Sequence, residues 1–260
     1  MTPKTEPDSQ RTAVVTGAGS GIGAAAALQL SALGWSVAVG GRRMERLEET
    51  VTAVESAGGT AFAHALDVSD GDSIEDFFNA VENRFGLVDV LVNNAGMNTP
   101  GPLQDISTED IVREIATNLT GPIQMVRRTL KPLLREGRRG DLVFVSSDAA
   151  RHPRPRQAVY TATKCGLEGL SRTLAMELEG TGIRTTIVRP GSTLSEYASG
   201  WDIAKIPALV NYWQSFGLQR HGGVMSADAV ARAIVMAVTT EPGVFLDVIE
   251  VQPEAPQLGE

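Results

Sequence analysis

Short apolar and β-branched runs alternate along the chain with longer stretches in which apolar residues recur at helical spacing. The short runs predict seven strands, which cover Thr12–Thr16, Ser36–Gly40, Ala61–Leu66, Val88–Val92, Leu142–Val145, Arg184–Val188 and Val244–Glu250. The longer stretches predict amphipathic helices, which cover Met44–Ser56, Asp72–Phe85, Thr108–Leu134, Ala158–Glu179 and Ala227–Thr239. Such alternation is typical of βαβ units and predicts an α/β fold whose parallel sheet is covered on both faces.

The pattern also indicates the domain organisation. We predict one domain over residues 11–252, with flexible tails at 1–10 and 253–260, because no internal repeat or low-complexity linker interrupts it. The long irregular region at 191–224 is enriched in aromatic residues, namely Tyr197, Trp201, Tyr212, Trp213 and Phe216. Two interpretations stay open: a lid over an apolar substrate pocket, or a short helical pair packing its aromatic side chains on the body or on a partner subunit.

A glycine-rich segment, T-G-A-G-S-G-I-G from Thr16, follows the first predicted strand. It fits both the general G-x-G-x-x-G/A fingerprint and the more restrictive T-G-x-x-x-G-x-G pattern, and we adopt the second. Glycines at these positions let the backbone approach a pyrophosphate, whose negative charge is attracted by the N-terminus of the following helix. The segment predicts dinucleotide contacts from Gly17, Gly19, Ser20, Gly21, Ile22 and Gly23.

A second motif, Y-T-A-T-K, contains Tyr160 and Lys164, with Ser147 thirteen positions upstream of the tyrosine. Residues at i and i+4 share one face of a helix, so the ammonium group lies beside the phenol. A free phenol has a pKa near ~10, and a nearby cation lowers it toward the range useful for acid–base catalysis. Ser147 can then hold a carbonyl oxygen by a hydrogen bond while Tyr160 delivers the proton.

The two motifs together make the chain similar to the short-chain dehydrogenase/reductase family, from about Thr12 to Val251. The resemblance implies a three-layer, doubly wound Rossmann fold with a seven-stranded parallel sheet in the order 3-2-1-4-5-6-7. It implies that Ser147, Tyr160 and Lys164 are catalytic, together with Asn118 in T-N-L-T-G, whose backbone carbonyl would hold a water that passes protons to the lysine. The family pattern implies further cofactor contacts at Asp67, Val68, Asn94, Ala95, Gly96, Tyr160, Lys164, Pro190, Gly191, Thr193 and Ser195.

Several positions depart from the family pattern. Thr163 stands where a serine is commoner, and Asp148 and Ala150 replace the more usual apolar residue and glycine. We expect the charged Asp148 to border the substrate site. The C-terminal run from Asp247 to Pro253 lacks a glycine-rich ending and is loosely similar to the subgroup that contains clavulanate dehydrogenase and the hydroxy-acid dehydrogenases.

The end of the second predicted strand indicates the preferred cofactor. A site that prefers NAD needs a carboxylate about 20 residues beyond the glycine turn, to accept from the ribose 2′-hydroxyl. Here Arg42 and Arg43 occupy that place, and no Asp occurs between Gly17 and Asp67. Guanidinium groups attract a 2′-phosphate by charge-assisted hydrogen bonds. The sequence therefore favours NADP(H), with Arg42 the principal contact.

Composition excludes several classes of function. The 260 residues are 42% hydrophobic, enough for a large core. Their formal charge of −8 disfavours binding to the phosphate backbone of a nucleic acid. One cysteine excludes an internal disulfide and fits a reducing compartment, while one cysteine and three scattered histidines offer no metal-ligand spacing. No run of about 18 apolar residues and no apolar leader occurs. We predict a cytoplasmic protein that binds neither a metal nor a membrane.

Two functions remain open. The first is an NADP(H)-dependent carbonyl reductase or alcohol dehydrogenase acting on a small carbonyl or secondary alcohol; the second is a non-catalytic dinucleotide sensor or scaffold. The joint presence of all four catalytic residue types favours the enzyme. Arg151, Arg154 and Arg156 either bind an acidic group of the substrate or are solvated or bonded to a neighbouring subunit. The resemblance also implies a homodimer or homotetramer that assembles through Thr108–Leu134 and Ala158–Glu179.

Overall fold

The computed structural model describes residues 10–194, 201, 204, 206–218 and 221–256, which form alternating strands and helices. The strands are β1 (Thr12–Thr16), β2 (Ser36–Gly41), β3 (Thr60–Ala65), β4 (Val90–Asn93), β5 (Gly140–Val145), β6 (Ile183–Pro190) and β7 (Val248–Val251). The helices are α1 (Gly21–Ser31), α2 (Met44–Ser56), α3 (Gly71–Phe85), α4 (Thr108–Ile115), α5 (Gly121–Glu136), α6 (Ala158–Glu177), α7 (Ile206–Ser215) and α8 (Ala227–Val238).

The seven strands form one sheet in the order β3-β2-β1-β4-β5-β6-β7, and every neighbouring pair is parallel. The predicted doubly wound α/β fold and its strand order are therefore confirmed. The order reverses between β1 and β4, and a crevice opens at such a point beyond the carboxyl ends of the strands.

The core lies in two layers, one on each face of the sheet. In β1, Ala13 and Val15 pack with helices α1, α2 and α8, while Val14 between them packs with α3, α5 and α6. Successive side chains of a strand point to opposite faces, so a strand that is apolar throughout is buried on both sides. This burial explains why the strands appear in the sequence as continuous apolar runs.

The prediction of one regular helix over Thr108–Leu134 is wrong. This stretch is divided into α4 and α5 by a π-helical turn over Ala116–Thr120, in which the N–H of Gly121 donates to the carbonyl of Ala116. Pro122 follows this turn and has no N–H, so the carbonyl of Asn118 receives no α-helical hydrogen bond from it. Hydrophobic periodicity continues through the turn, which is why the pattern predicts a single helix.

The C-terminal part differs in two further respects. The region predicted as irregular contains α7, and the last strand begins at Val248 rather than Val244, after a turn in which Gly243 has a φ of +89°. Residues 193 and 225 form a parallel bridge, and the N–H of Leu194 donates to the carbonyl of Met225 at 2.9 Å. Helix α8 then packs on α1, and β7 extends the sheet beside β6.

In the described residues, no helix combines the length and the apolar character needed to cross a membrane. The predicted tails fall mostly outside the described residues, which begin at Gln10 and end at Pro256.

Candidate active site

A cleft of about 1710 Å³ opens at the carboxyl end of the sheet. One part is lined by the glycine segment and the ends of β2, β3 and β4, and the other by the segment after β5, the start of α6 and helix α7. The cleft therefore brings the predicted dinucleotide residues and the predicted catalytic residues to one place.

The glycine segment forms a cradle that side chains would fill. Gly17 has a φ of +65°, a conformation that L side chains rarely adopt. A Cβ added to Gly23 would lie 2.5 Å from the carbonyl oxygen of Gly17 and 2.7 Å from Asn94 Nδ2. Helix α1 begins at Gly21, so its unpaired N–H groups face the cleft beside Ile22. This arrangement fits the pyrophosphate of a dinucleotide.

Asn94 fastens the segment after β4 to this cradle. Its Nδ2 donates to the carbonyls of Thr16 at 2.9 Å and Gly17 at 3.2 Å. The N–H groups of Asn94 and Ala95 both donate to Thr16 Oγ1, at 3.0 and 2.9 Å. The N-N-A-G segment thus steadies the turn, and Ala95 and Gly96 line the cleft.

The predicted adenosine end of the cleft carries charge of both signs. Arg42 and Arg43 follow β2, line the cleft and are exposed, and Asp67 and Val68 follow β3. Burial raises the pKa of Asp67, but hydrogen bonds from Ser69 and the charge of Arg42 outweigh it, so the pKa lies below its usual value. Asp67 is therefore ionised at neutral pH, and its negative charge attracts the Arg42 guanidinium.

Tyr160 and Lys164 lie one turn apart on α6, and both are buried. Lys164 Nζ donates to the carbonyl of Val145, at the end of β5, at 2.8 Å, and lies 5.6 Å from the centre of the Tyr160 ring. Burial lowers the pKa of Lys164 to about 8, and the charge of Glu114 opposes this shift. The lysine is thus an ammonium ion at neutral pH, beside the phenol as the motif predicts.

Ser147 stands where β5 has ended, at the start of a short turn over Asp148–Ala150. Its Oγ accepts from the N–H of Ala149 at 3.1 Å and donates to Asp148 Oδ1 at 3.3 Å. Arg154 holds both oxygens of the Asp148 carboxylate, at 2.7 and 2.6 Å. Arg154 thus engages both oxygens of Asp148, and the Ser147 hydroxyl can rotate away to donate to another acceptor in the cleft.

Asn118 lies inside the π turn and is buried. Its side chain binds both backbone groups of Met97: Oδ1 accepts from the N–H and Nδ2 donates to the carbonyl, each at 2.8 Å. Nδ2 also reaches Thr163 Oγ1 at 3.2 Å. Asn118 therefore joins the segment after β4 to helix α6, which explains an asparagine in the middle of a helical stretch.

The remaining predicted cofactor residues follow β6. Pro190, Gly191 and Thr193 line the cleft, and Thr193 Oγ1 donates to the carbonyl of Gly191 at 2.9 Å. The N–H of Gly191 donates to the carbonyl of Val251, so β7 supports this segment. Ser195, also predicted as a contact, lies outside the described residues.

Aromatic side chains line the part of the cleft that helix α7 borders. Trp201 and Trp213 pack edge to face with their ring centres 6.3 Å apart, and both line the cleft with Leu209. Trp213 Nε1 donates to the carbonyl of Pro155 at 2.8 Å. Helix α7 therefore packs Trp213 on the body and lines the cleft, and its role as a lid over substrate stays a prediction. Tyr197 lies outside the described residues.

Each of the three arginines of the segment 151–156 contacts a group within the chain. Arg151 pairs with Glu250 at 2.9 Å, and Arg154 pairs with Asp148 as described. The Arg156 guanidinium lies 4.9 Å from the centre of the Tyr212 ring, on a backbone with a φ of +66°. Arg154 and Arg156 also line the cleft, as does Asp148, which was expected at the substrate site.

Two features of the site had no signal in the sequence motifs. Glu114 on α4 is fully buried, and its Oε2 accepts from the N–H of Thr99 at 2.9 Å. Behind Ser147, the hydroxyl of Ser146 donates to Glu168 on α6 at 2.9 Å, and Arg189 on β6 binds both oxygens of Glu168. Charge on an amphipathic helix usually marks the solvent face, so the pattern conceals both acids.

Among the residues that the structure describes, no group of three or more His, Cys, Asp or Glu side chains is placed to hold a metal ion.

A glycine cradle at the switch point of a parallel sheet, with a buried Tyr–Lys pair at the same cleft, defines a dinucleotide-dependent oxidoreductase of the Rossmann class. Residues 11–204 match the family model described as short chain dehydrogenase. The chain belongs to the short-chain dehydrogenase/reductase family, whose members are NAD(P)-dependent oxidoreductases that act on CH–OH and C=O groups.

Individual relatives agree with this assignment. A short chain dehydrogenase of Pseudocercospora fijiensis is 38% identical over 191 residues, which are 72% of this chain and 60% of that protein. The 3-oxoacyl-acyl-carrier-protein reductase FabG of Staphylococcus epidermidis is 36% identical over 187 residues, 72% of this chain and 76% of that protein. The crystal structure of an actinorhodin polyketide ketoreductase variant with NADPH has a TM-score of 0.81 at 30% identity, covering 94% of this chain and 96% of that one.

Proposed function

We propose that the protein is an NADP(H)-dependent carbonyl reductase or alcohol dehydrogenase. The observation that carries the proposal is the meeting of Ser147, Tyr160 and Lys164 at one cleft, with Asn118 behind them and the glycine cradle beside them. A protein that only binds a dinucleotide has no need of a buried lysine next to a buried tyrosine, since burial of an ammonium group is costly.

Each residue has a distinct part in the proposed reaction. A bound NADP(H) supplies or accepts the hydride. Ser147 donates a hydrogen bond to the substrate oxygen, and Tyr160 exchanges the proton with that oxygen. Lys164 favours the phenolate by its positive charge, and Asn118 fixes the segment after β4 against α6. The cleft wall formed by Trp201 and Trp213 excludes water from the reacting groups.

The cofactor preference is part of the proposal. Arg42 and Arg43 line the cleft at the end of β2, where a carboxylate would be needed to select NAD. The actinorhodin polyketide ketoreductase structure contains NADPH. These observations support NADP(H) as the cofactor of this chain.

The substrate side supports a bulky or ring-bearing carbonyl compound. Trp201, Leu209 and Trp213 supply an apolar surface, and the Asp148–Arg154 ion pair adds one polar point next to Ser147. Ligand pockets of this kind are mostly apolar with a few placed polar groups that set orientation. The loose likeness to the clavulanate dehydrogenase and hydroxy-acid dehydrogenase subgroup stays a prediction, as does the cytoplasmic location.

Replacing Tyr160 by Phe tests the proposal. The Tyr160→Phe variant should bind NADPH within a few-fold of the wild type and lose turnover, because only the hydroxyl is removed. NADPH oxidation with a panel of ketones and aldehydes measures turnover, and fluorescence titration measures binding. A variant that retained more than roughly a tenth of the wild-type kcat would refute the acid–base assignment. A wild type that binds NADPH but reduces no carbonyl would favour the sensor or scaffold instead.

We also propose that the protein assembles as a homodimer or homotetramer through the helices α4, α5 and α6. Large apolar side chains are exposed along them, namely Val112, Ile115, Ile123, Leu134 and Met176. These exposed side chains supply apolar surface that an interface along the three helices would bury. Light scattering at micromolar concentration measures the mass, and a monomer would contradict the proposed assembly.

A further inference from the structure

Glu114 is a buried acid that the proposed reaction does not use. Its relative exposure is 0%, and its Oε2 accepts one hydrogen bond, from the N–H of Thr99. No residue in the described part of the chain donates a hydrogen bond to its Oε1. A carboxylate removed from water and bonded at only one oxygen is costly, so the charge needs a compensating partner nearby.

Glu114 binds a backbone segment that also lies next to Lys164. Glu114 and Asn118 together hold the segment 96–99, because Asn118 binds both backbone groups of Met97 and Glu114 binds Thr99. A Cβ placed on Gly96 would lie 3.4 Å from Asn118 Oδ1 and 3.6 Å from Lys164 Nζ. The held segment therefore contacts Glu114 at Thr99 and lies next to Lys164 at Gly96.

Within the described part of the chain, three charged groups act on the Glu114 carboxyl. Helix α6, which packs against α4, contributes Lys164, and the neighbouring turns of α4 contribute Asp110 and Arg113. Asp110 and Arg113 pair with each other on the surface. The segment 97–99, which lies against the Glu114 carboxyl, contains no charged side chain. Of these three groups, Lys164 is the buried cation.

We propose that Glu114 is a further positioning residue of the active site, whose carboxylate keeps Lys164 in its ammonium form across the segment 96–99. The inference rests on the proposed function, since it assigns Glu114 to the acid–base system of Tyr160 and Lys164. Glu114 does not touch substrate or cofactor; it acts through the charge of the lysine.

The electrostatics of the two groups agree with this geometry. Burial raises the pKa of Glu114 to about 7, and the charge of Lys164 opposes the rise. Burial lowers the pKa of Lys164 to about 8, and the charge of Glu114 opposes the fall. Each ion therefore stabilises the other. When Glu114 loses its charge, the pKa of Lys164 must fall further.

Replacing Glu114 by Gln separates this role from a structural one. The amide keeps the size of the side chain and an oxygen that can accept from Thr99, so it removes the charge and preserves the anchor. The reduction of a ketone needs the protonated tyrosine–lysine pair, so kcat/KM falls as Lys164 loses its proton. In Glu114→Gln this alkaline limb should move to lower pH by roughly 0.5–1 unit, less than the 1–3 units of a directly contacting charge.

Two further variants complete the kinetic experiment. Glu114→Asp restores a titrating carboxyl and should return the limb toward the wild-type position. Glu109→Gln removes an exposed acid from the first turn of the same helix and should leave the pH profile unchanged. A Glu114→Gln profile that superimposes on the wild type would overturn the proposal and leave Glu114 as an anchor for Thr99.

A measurement without turnover keeps this proposal separate from the proposed function. Infrared difference spectra resolve the carbonyl stretch of a protonated carboxyl, and a band that titrates near pH 7 should vanish in Glu114→Gln. Because coupling is reciprocal, Lys164→Met should raise the midpoint of that band by about as much as Glu114→Gln lowers the lysine pKa. An unmoved midpoint in Lys164→Met would refute the coupling even if the wild type reduces carbonyls. An inactive wild type with a coupled band would instead refute only the proposed reaction.

Discussion

The sharpest stability prediction concerns the buried ion pair of Glu168 and Arg189, which lies behind Ser147. Glu168 accepts hydrogen bonds from Ser146 at 2.9 Å and from Arg189 at 3.0 and 2.8 Å, and Arg172 reaches it at 3.1 Å. Arg189 also pairs with Glu250 at 3.0 Å, and both Glu168 and Arg189 are buried. In Glu168→Ala, the buried Arg189 guanidinium loses both hydrogen bonds to Glu168 and keeps its contact with Glu250.

The expected loss follows from breaking a buried pair on one side. Removing one partner of such a pair typically costs about 3–5 kcal/mol, because the other charge stays desolvated. For a chain of this size each kcal/mol corresponds to about 2–4 °C in Tm, so Glu168→Ala should melt about 6–20 °C below the wild type. Thermal unfolding followed by circular dichroism at pH 7 measures the difference. Glu177→Ala, at the exposed end of the same helix, is the control and should stay within about 0.5 kcal/mol.

A double variant tests whether the uncompensated charge causes the loss. Replacing both partners of a buried pair by apolar residues is often neutral or stabilising, so Glu168→Leu combined with Arg189→Met should recover at least half of the lost Tm. A double-mutant cycle gives the coupling energy directly. The reasoning is refuted if Glu168→Ala melts within about 2 °C of the wild type, or if the single losses simply add.

Two predictions concern the dinucleotide. Arg42→Ala should raise the KM for NADPH by about 10- to 150-fold relative to NADH, the worth of a charge-assisted hydrogen bond. Gly41→Asp, whose Cβ meets only an ordinary van der Waals contact at 3.4 Å, should strengthen the shift; an unchanged kcat/KM ratio would contradict the NADP assignment. Gly23→Ala places a Cβ 2.5 Å from a backbone oxygen and should abolish NADPH binding in a fluorescence titration. Gly169→Ala lies in open space on α6, so it should retain NADPH binding and gain about 1 kcal/mol in stability. Equal NADPH affinity of Gly23→Ala and Gly169→Ala would refute the proposal that the glycine segment holds the pyrophosphate.

Much of the fold was predictable because both faces of the sheet are covered. Helix α2 begins and ends where the periodicity predicts, at Met44 and Ser56, and β1 matches its predicted bounds. The π turn was not predictable from periodicity, since apolar spacing continues from α4 into α5. Pro122, four residues after Asn118, was the available signal, because proline cannot donate the hydrogen bond that a regular α-helix requires there.

Sequence motifs predict the part of the site whose residues lie close together in one element. Contacts that form only through tertiary packing leave no local pattern in the sequence. The spacing of Tyr160 and Lys164 predicts their contact because it lies within one helix. The pairing of Glu168 with Arg189 joins α6 to β6 across 21 positions, so no local pattern reports it. Glu114 is charged, as residues on the exposed face of an amphipathic helix usually are, and its burial depends on the segment 96–99 that folds over it.

The bridge between Thr193 and Met225 has a consequence for how such a chain changes over evolutionary time. Residues 192–194 lie beside Met225, and backbone hydrogen bonds of 2.9 and 3.0 Å join the two strands of chain at this point. When the two ends of a segment are fixed side by side, doubling its length costs only about 0.6 kcal/mol in closure entropy. The length of the segment between them can therefore change at small cost while α8 still packs on α1 and β7 still pairs with β6. Under the proposed function, exchange of this stretch would change the substrate and leave the glycine segment and the Tyr160–Lys164 pair in place.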